Sequence, residues 1–168
     1  MRKPAKKKVH PIPKGYAVLT PHLTIRGAAQ ALDWYRKAFG AKERMRMPAP
    51  GGMIGHAEMQ IGDCAFMLAD EFPGCASPSP ATLNGTTASL YFYVKDVDSA
   101  FAKAVEAGAT SLMPPTTMFY GDRMGSLKDP FGHLWSLATH VEDVSPKEMA
   151  KRSKEFMEKM AAEKPATA

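Results

Sequence analysis

Two cysteines, Cys64 and Cys75, in a chain of 168 residues are too few for a disulfide framework or a thiolate-rich zinc cluster, and both are expected to be reduced thiols. Cys64 reads as a strand residue packed in the interior. No apolar run of about 18 residues occurs, which argues against a membrane-spanning helix. The opening Met1-Arg-Lys-Pro-Ala-Lys-Lys-Lys lacks the apolar segment that follows the charges of a secretory signal, so a cytoplasmic protein is expected. Gly-rich phosphate loops, nucleophile elbows and paired metal motifs are also missing, which removes the common nucleotide-hydrolysing and serine-hydrolase chemistries. The net charge of +5 does not mark a basic folded face, because Arg2, Lys3, Lys6, Lys7, Lys8 and Lys14 are all in the first fourteen positions. Such an arm can release counterions on nucleic acid, yet short charged termini are ordinarily solvated, and no nucleic-acid partner is expected.

What is present is a repeat. Leu23-Thr-Ile-Arg-Gly-Ala-Ala-Gln-Ala-Leu-Asp-Trp-Tyr-Arg-Lys-Ala-Phe-Gly-Ala41 is echoed by Phe92-Tyr-Val-Lys-Asp-Val-Asp-Ser-Ala-Phe-Ala-Lys-Ala-Val-Glu-Ala-Gly-Ala109. Pairing Leu32 with Phe101 gives an offset of 101 − 32 = 69, and the same offset pairs Leu23 with Phe92 and Ile25 with Val94. A period of roughly 70 residues is too long for a solenoid unit and fits two copies of a small α/β module.

Period-2 alternation predicts a strand over 18–25, and the stripe Ala31, Leu32, Tyr35 and Phe39 predicts a helix over 28–39 that Gly40 stops. Strands are predicted over 42–47, 54–61 and 64–69, with a turn at Pro48-Ala-Pro-Gly-Gly52 and a tight hairpin at Gly62-Asp63. The second copy predicts a strand over 88–94 and a helix over 97–107 capped by Asp96 or Asp98. Shorter strands follow at 111–113 and 125–127, then a turn at Lys128-Asp-Pro-Phe-Gly132 and a last strand over 133–139. Ser145-Pro-Lys-Glu148 has the pattern of a capping box with Pro at the first helical position, opening a helix to about Lys159. The organisation is a basic unstructured tail (1–14), a βαβββ module (15–70), a Pro/Gly/Ser-rich linker (71–87), a second βαβββ module (88–140) and a C-terminal helical extension (141–168).

The βαβββ order twice over, the Asp-Trp-Tyr-Arg-Lys-Ala-Phe-Gly-Ala helix end, Val94-Lys-Asp-Val-Asp98 and Asp129-Pro-Phe-Gly132 before the last strand together resemble the vicinal oxygen chelate superfamily. That superfamily includes glyoxalase I, extradiol dioxygenases and bleomycin and fosfomycin resistance proteins. Gly55-His-Ala-Glu58, Met67-Leu-Ala-Asp-Glu71 and Phe119-Tyr-Gly-Asp-Arg123 are similar to its PhnB-like glyoxalase/bleomycin-resistance group. The resemblance implies an α+β fold of two βαβββ modules forming a curled mixed-sheet cup with the helices outside, a ligand held in the cup between modules, and a homodimer. It also implies where metal ligands stand in metal-dependent members, on the first and last strands of each module. Carried onto this chain those places fall on Thr20, Met67, Ser89 and Ser136, with 89 − 20 = 136 − 67 = 69. None is a histidine or carboxylate, so the usual metal site is expected to be absent and no cofactor is expected.

Several residues remain for chemistry. His22, His56 and Glu58 are a displaced alternative for a divalent metal, set against a hydrogen-bonded polar patch without one. His56 and Glu58 are also the candidate catalytic pair, a histidine and a carboxylate able to exchange a proton near neutral pH. The alternative is that Glu58 pairs with Arg46 or Arg123. Tyr91, Tyr93, Tyr120 and Arg123, with Thr20, His22, Met67, Ser89 and Ser136, form the expected ligand-binding set. Rings supply area and the arginine a fork of donors, which suits a planar or amphipathic ligand with one negative group. Two functions follow: sequestration of a small organic molecule, or a lyase, isomerase or proton-transfer enzyme.

Overall fold

The computed structural model describes residues 9–162; most of the expected basic tail lies outside them. The chain divides into two compact units, Met1–Ser79 and Pro80–Ala168, so the boundary falls inside the stretch expected as a linker. Among the described residues no helix is long and apolar enough to cross a membrane.

The first unit runs β1 (His22–Ile25), α1 (Ala28–Phe39), β2 (Lys42–Pro48), a single 3-10 turn (Pro50–Gly52), β3 (Ile54–Ile61) and β4 (Cys64–Asp70). Its sheet has the order β1-β4-β3-β2, with β1 parallel to β4 and the other pairs antiparallel. The helix forms because Ala28, Ala31, Leu32, Tyr35 and Ala38 fall on one stripe, and all are buried against the sheet. Gly40 ends it at φ 65°, a left-handed conformation that side chains resist, with its N–H donating to Arg36 O at 3.1 Å. The start of α1 has no local side-chain cap. Asp70 at the end of β4 supplies one instead: its Oδ1 accepts from the N–H groups of Gly27 at 3.0 Å and Ala28 at 2.9 Å, while Oδ2 accepts from Ile54 N–H at 2.6 Å.

The second unit runs α2 (Pro80–Leu83), β5 (Ser89–Tyr93), α3 (Val97–Glu106), β6 (Thr110–Thr117), β7 (Asp122–Lys128), β8 (Leu134–His140) and α4 (Pro146–Ala162). Its sheet repeats the first, in the order β5-β8-β7-β6. The repeat extends to register: His22 pairs with Met67 and Tyr91 with Ser136, and 91 − 22 = 136 − 67 = 69. It extends to capping as well, since Thr139 Oγ1 accepts from Val97 N–H at 2.9 Å, at positions 69 beyond Asp70 and Ala28. Asp96 adds the local cap, accepting from Ser99 N–H at 3.0 Å. Val97, Phe101 and Ala104 of α3 are buried on the sheet. Phe101 lies so close to β7 that a Cβ on Gly125 would stand 2.9 Å from its ring. The Lys128–Gly132 turn is built around buried Asp129, whose Oδ1 accepts from the N–H groups of Phe131 and His133, both at 2.9 Å, and whose Oδ2 accepts from Trp135 Nε1–H at 2.8 Å. The cap of α4 forms as expected, Glu148 N–H donating to Ser145 Oγ at 3.3 Å. The helix is fastened from one side by Arg152, which donates to both Glu142 oxygens at 2.8 Å, and by Phe156 against Phe119 with ring centres 5.0 Å apart.

Four expectations change. β1 is shorter than 18–25: Val18 and Leu19 are exposed, and Thr20 is held in a turn by its hydroxyl donating to Ala17 O at 3.1 Å. Cys64 is exposed, being the first residue after the Gly62-Asp63 hairpin rather than a mid-strand position. The strands expected over 111–113 and 125–127 are longer, as β6 and β7 above. The last helix continues to Ala162.

Candidate functional site

Each sheet buries one face under its helix and leaves the other with polar side chains, because residues alternate between faces along a strand. In the first sheet Leu23, Ile25, Ala57, Met59, Phe66 and Leu68 are buried, whereas His22, His56, Glu58, Gln60 and Met67 carry the other face. Glu58 is the charged centre of that face. Arg44 Nε stands 3.9 Å from Glu58 Oε2 and His56 Nε2 3.6 Å from Oε1. Arg44 also lies over the Tyr16 ring, 4.5 Å from its centre, a cation–π contact. A hydrogen bond to Glu58, followed by burial, raises the Tyr16 phenol above its usual value. His22 and His56 face each other with ring centres 6.1 Å apart and 16° between planes. Burial, then the neighbouring His56, pushes His22 below the ordinary histidine value, so it is neutral at physiological pH.

The Glu58 partner is therefore Arg44, neither Arg46 nor Arg123. A bulge in β2 explains this. Glu43 pairs with Met59, Met45 with Glu58 and Arg46 with Ala57, so the extra residue Arg44 stands beside Glu58 and Arg46 is turned to the helix side. There Arg46 donates to both Glu43 oxygens at 2.6 Å. Among the described residues no three His, Cys, Asp or Glu side chains are grouped as a metal ion requires. The displaced set His22, His56 and Glu58 thus does not converge as a divalent site, with Glu58 committed to Arg44 and Tyr16.

On the second sheet Ser89, Tyr91 and Tyr93 alternate outward along β5. The two phenols donate to one carboxylate oxygen, Asp122 Oδ2, at 3.1 Å from Tyr91 and 2.9 Å from Tyr93. His140 Nδ1 meets Asp122 Oδ1 at 2.8 Å, and its Nε2 meets Asp143 Oδ1 at 3.0 Å. The Asp122 side chain is only 7% exposed. Burial opposes its ionisation, but the hydrogen bonds from His140, Tyr93 and Tyr91 prevail and hold its carboxyl below the usual value. The same contacts act on the partners. Burial and then Asp122 raise Tyr91 well above a normal phenol, the Asp122 hydrogen bond raises Tyr93, and burial followed by the Asp122 charge raises Tyr120. All three phenols are therefore neutral hydroxyls. Hydrogen bonds to Asp122 and Asp143 raise His140 above 6.5. Further along the same face Ser136 Oγ is 3.2 Å from Ser126 Oγ and 3.5 Å from Ser89 Oγ.

Of the expected ligand-binding residues, Ser89, Tyr91, Tyr93 and Ser136 share this face and Tyr120 adjoins it, while His22 and Met67 share the open face of the first sheet. Arg123 does not join the tyrosines. It pairs with Thr139 on the helix side and spends its fork on Asp98, at 2.6 and 2.7 Å. Sequence reasoning missed Asp122 and His140. Extending β7 three residues towards the N-terminus would have set Asp122 opposite His140, on the tyrosine face.

Comparison with known proteins agrees with this architecture. An uncharacterized protein of Mycobacterium tuberculosis is 42% identical over 134 residues, covering 78% of this chain and 79% of its own length. The crystal structure of TioX from a Micromonospora species superposes with TM-score 0.58 at 25% identity, covering 77% of this chain and 100% of that one. The structure of an Arabidopsis thaliana gene product superposes with TM-score 0.59 at 27% identity, covering 73% and 98%. A PhnB protein from Bacillus cereus, 21% identical with TM-score 0.58 and covering 73% and 99%, shares the fold. The family model that matches spans residues 17–137, from before β1 into β8, so this chain belongs to the Glyoxalase/Bleomycin resistance protein/Dioxygenase superfamily.

Proposed function

We propose that the chain binds a small planar organic molecule on the open face of the second sheet, and that this molecule is neutral or cationic. The superfamily name spans three chemistries, so membership alone does not select one. The observation that carries the reading is the buried Asp122 carboxylate with Tyr91, Tyr93 and His140 fastened to it. Those bonds hold two rings, 45% and 61% exposed for Tyr91 and Tyr93, in fixed attitudes 5.4 Å apart. Exposed aromatic surface that is already immobilised loses little side-chain entropy when a ligand covers it.

The charge balance selects the ligand's sign. The Arg123 guanidinium, which would have favoured an anion, is neutralised on Asp98. Around the tyrosines stand two carboxylates, Asp122 and Asp143, and one histidine, a net negative surrounding even when His140 is protonated. The phenol oxygens, having given their hydrogens to Asp122, turn lone pairs outward, and the ring faces attract cations. A proton-transfer pair of His56 and Glu58 is the weaker reading, because 3.6 Å is beyond hydrogen-bonding distance and Arg44 and Tyr16 compete for the carboxylate.

Fluorescence titration with proflavine, a planar cation, tests the proposal against anilinonaphthalene sulfonate, a planar anion. Proflavine is expected to bind one per chain, and Tyr91→Ala and Tyr93→Ala each to weaken it roughly three- to tenfold. Asp122→Asn is expected to weaken it as well. Equal binding of the anionic dye, undiminished in the tyrosine variants, refutes the reading.

A further inference from the structure

The chain enters the first unit as a strap ahead of β1, and one side chain fastens it. Every residue from 9 to 19 is exposed except Tyr16, which is half-buried. Val18 and Leu19, whose aliphatic surface could anchor a strap by simple burial, remain 91% and 86% exposed. The strap bends to deliver the ring instead. Tyr16 N–H donates to Pro13 O at 3.2 Å and Gly15 stands at φ 82°, the form of a type II turn.

Arg44 meets this turn at two points. Its guanidinium donates to Gly15 O at 3.1 Å and lies 4.5 Å from the centre of the Tyr16 ring. The approach is so close that a Cβ on Gly15 would stand 3.2 Å from Arg44 Nη2. Glu58, whose carboxylate is 3.9 Å from Arg44 Nε, serves the other end of the ring. Its hydrogen bond, followed by burial, keeps the proton on the Tyr16 phenol. An aromatic face thus rests on a cation while its hydroxyl addresses a carboxylate. The clamp itself is sheltered, the side chains of Arg44 and Glu58 being 25% and 16% exposed.

Folding of the module does not call for this ring. The matching position of the second copy is Gly85, since 85 − 16 = 69, and that copy builds the same sheet. We propose that Arg44 and Glu58 form a binding site for an uncharged phenol, and that Tyr16 is its resident occupant, which a free phenol displaces. The two charges cancel, so an ionic ligand gains nothing there, and the carboxylate requires a hydroxyl that still carries its proton. A tethered ring blocks such a site through its effective concentration, without needing many contacts of its own. The site belongs to the first unit and stands independently of the tyrosine face of the second.

The probe is p-cresol, the tyrosine side chain as a free molecule, titrated into the full chain. NMR of the Arg44 Nε–H and His56 ring signals reports the first sheet, and the His140 ring signals report any p-cresol on the second. In Tyr16→Ala the first-sheet signals are expected to shift with an apparent affinity about tenfold stronger than in wild type, where the tethered ring competes. Toluene, which lacks the hydroxyl, is expected to bind Tyr16→Ala about fivefold more weakly than p-cresol, and Arg44→Met in the same background to weaken p-cresol about as much. Trypsin cleavage of the Lys14–Gly15 bond, read by mass spectrometry, is expected to quicken in Tyr16→Ala and in wild type saturated with p-cresol. First-sheet signals unmoved by p-cresol in Tyr16→Ala overturn the proposal. Equal cleavage of wild type and Tyr16→Ala overturns it too, because the ring then fastens nothing. Toluene binding as tightly as p-cresol, or p-cresol indifferent to Arg44→Met, overturns the choice of a phenol.

Discussion

Asp129 and Asp122 each accept at least three hydrogen bonds, yet their loss is expected to cost very different amounts. Asp129 serves the N–H groups of Phe131 and His133 and the indole of Trp135, and it is 3% exposed, with His133 at 9% and Trp135 at 3%. In Asp129→Ala the donors of His133 and Trp135 have no ready route to water. At about 1–3 kcal/mol for each buried donor left unpaired, discounting Phe131 as nearer the surface, the loss is about 3–5 kcal/mol. That is a large share of a typical domain's stability. Asp122 serves Tyr91, Tyr93 and His140, whose donor atoms can turn to solvent when the carboxylate is removed, so Asp122→Ala is expected to cost less than half as much. Urea unfolding followed by Trp135 fluorescence in a Trp34→Phe background reads the second unit alone. Asp129→Asn should fall between wild type and Asp129→Ala, since its Oδ1 still accepts both backbone bonds while its amide nitrogen confronts the indole N–H. In a Trp135→Phe background, followed by far-UV circular dichroism instead, the Asp129→Ala penalty should shrink by about 1–2 kcal/mol, one orphaned donor fewer. If Asp122→Ala proves as destabilising as Asp129→Ala, solvent access of the donors is not what sets the cost and the reasoning fails.

The two perturbed histidines make opposite contributions to pH dependence. His140 is raised above 6.5, so its stabilisation is complete below pH 6.5 and is lost as pH rises through its folded-state value; Asp122, lowered from 3.8, stabilises above pH 3.8 and ceases to do so as pH falls through its own. Their mutual contribution is therefore greatest between about pH 4 and 6.5. His22, lowered from 6.5, stabilises above pH 6.5 and destabilises on acidification. Thermal unfolding against pH should show His140→Gln selectively losing stability on the acid side and His22→Gln selectively gaining it there; an NMR titration placing His140 at or below 6.5 contradicts the assignment. Gly125→Ala would set a Cβ 2.9 Å from the Phe101 ring and 3.1 Å from Met113 O, and is expected to cost about 1–3 kcal/mol, measured by urea midpoint. Combining it with Phe101→Leu should recover part of that loss, and a Gly125→Ala protein as stable as wild type would show that the helix is not seated as described.

The repeat and both helices were legible because they rest on local chemistry: the buried stripe of α1, the stop at Gly40 and the turn residues around Asp129. The faces of the strands were less so, because parity along a strand survives only until the first irregularity. Arg44 and Arg46 have the same parity in sequence, yet the bulge after Glu43 separates them, one beside Glu58 and the other under the helix. Arg123 was assigned to the tyrosines on the strength of its charge, although its neighbour Asp122 occupies the outward position of β7. Thr20 fell out of β1 because a strand that pairs only from His22 onward leaves the preceding residues to a turn. Long-range caps left no local signal at all. Nothing near Gly27 announces that its N–H will be met by Asp70, 43 residues away.

The divergence between the two copies bears on function more directly than either copy alone. Matched by register, Asp70 corresponds to Thr139, and both cap the helix of their own unit although one is a carboxylate and the other a hydroxyl. The requirement there is a hydrogen-bond acceptor for an orphaned helix N–H, and any acceptor of suitable reach satisfies it. On the open faces the matched positions share no chemistry. His22 corresponds to Tyr91 and Met67 to Ser136, while their partners on the third strand are Glu58 and Ser126. A requirement of folding alone would keep donor or acceptor character at such sites, as it does at the caps. Instead one sheet presents imidazole and thioether, and the other presents phenol and hydroxyl around a buried carboxylate. Those sets differ in the ligand each could hold, and the planar-ligand proposal attaches to the second unit alone.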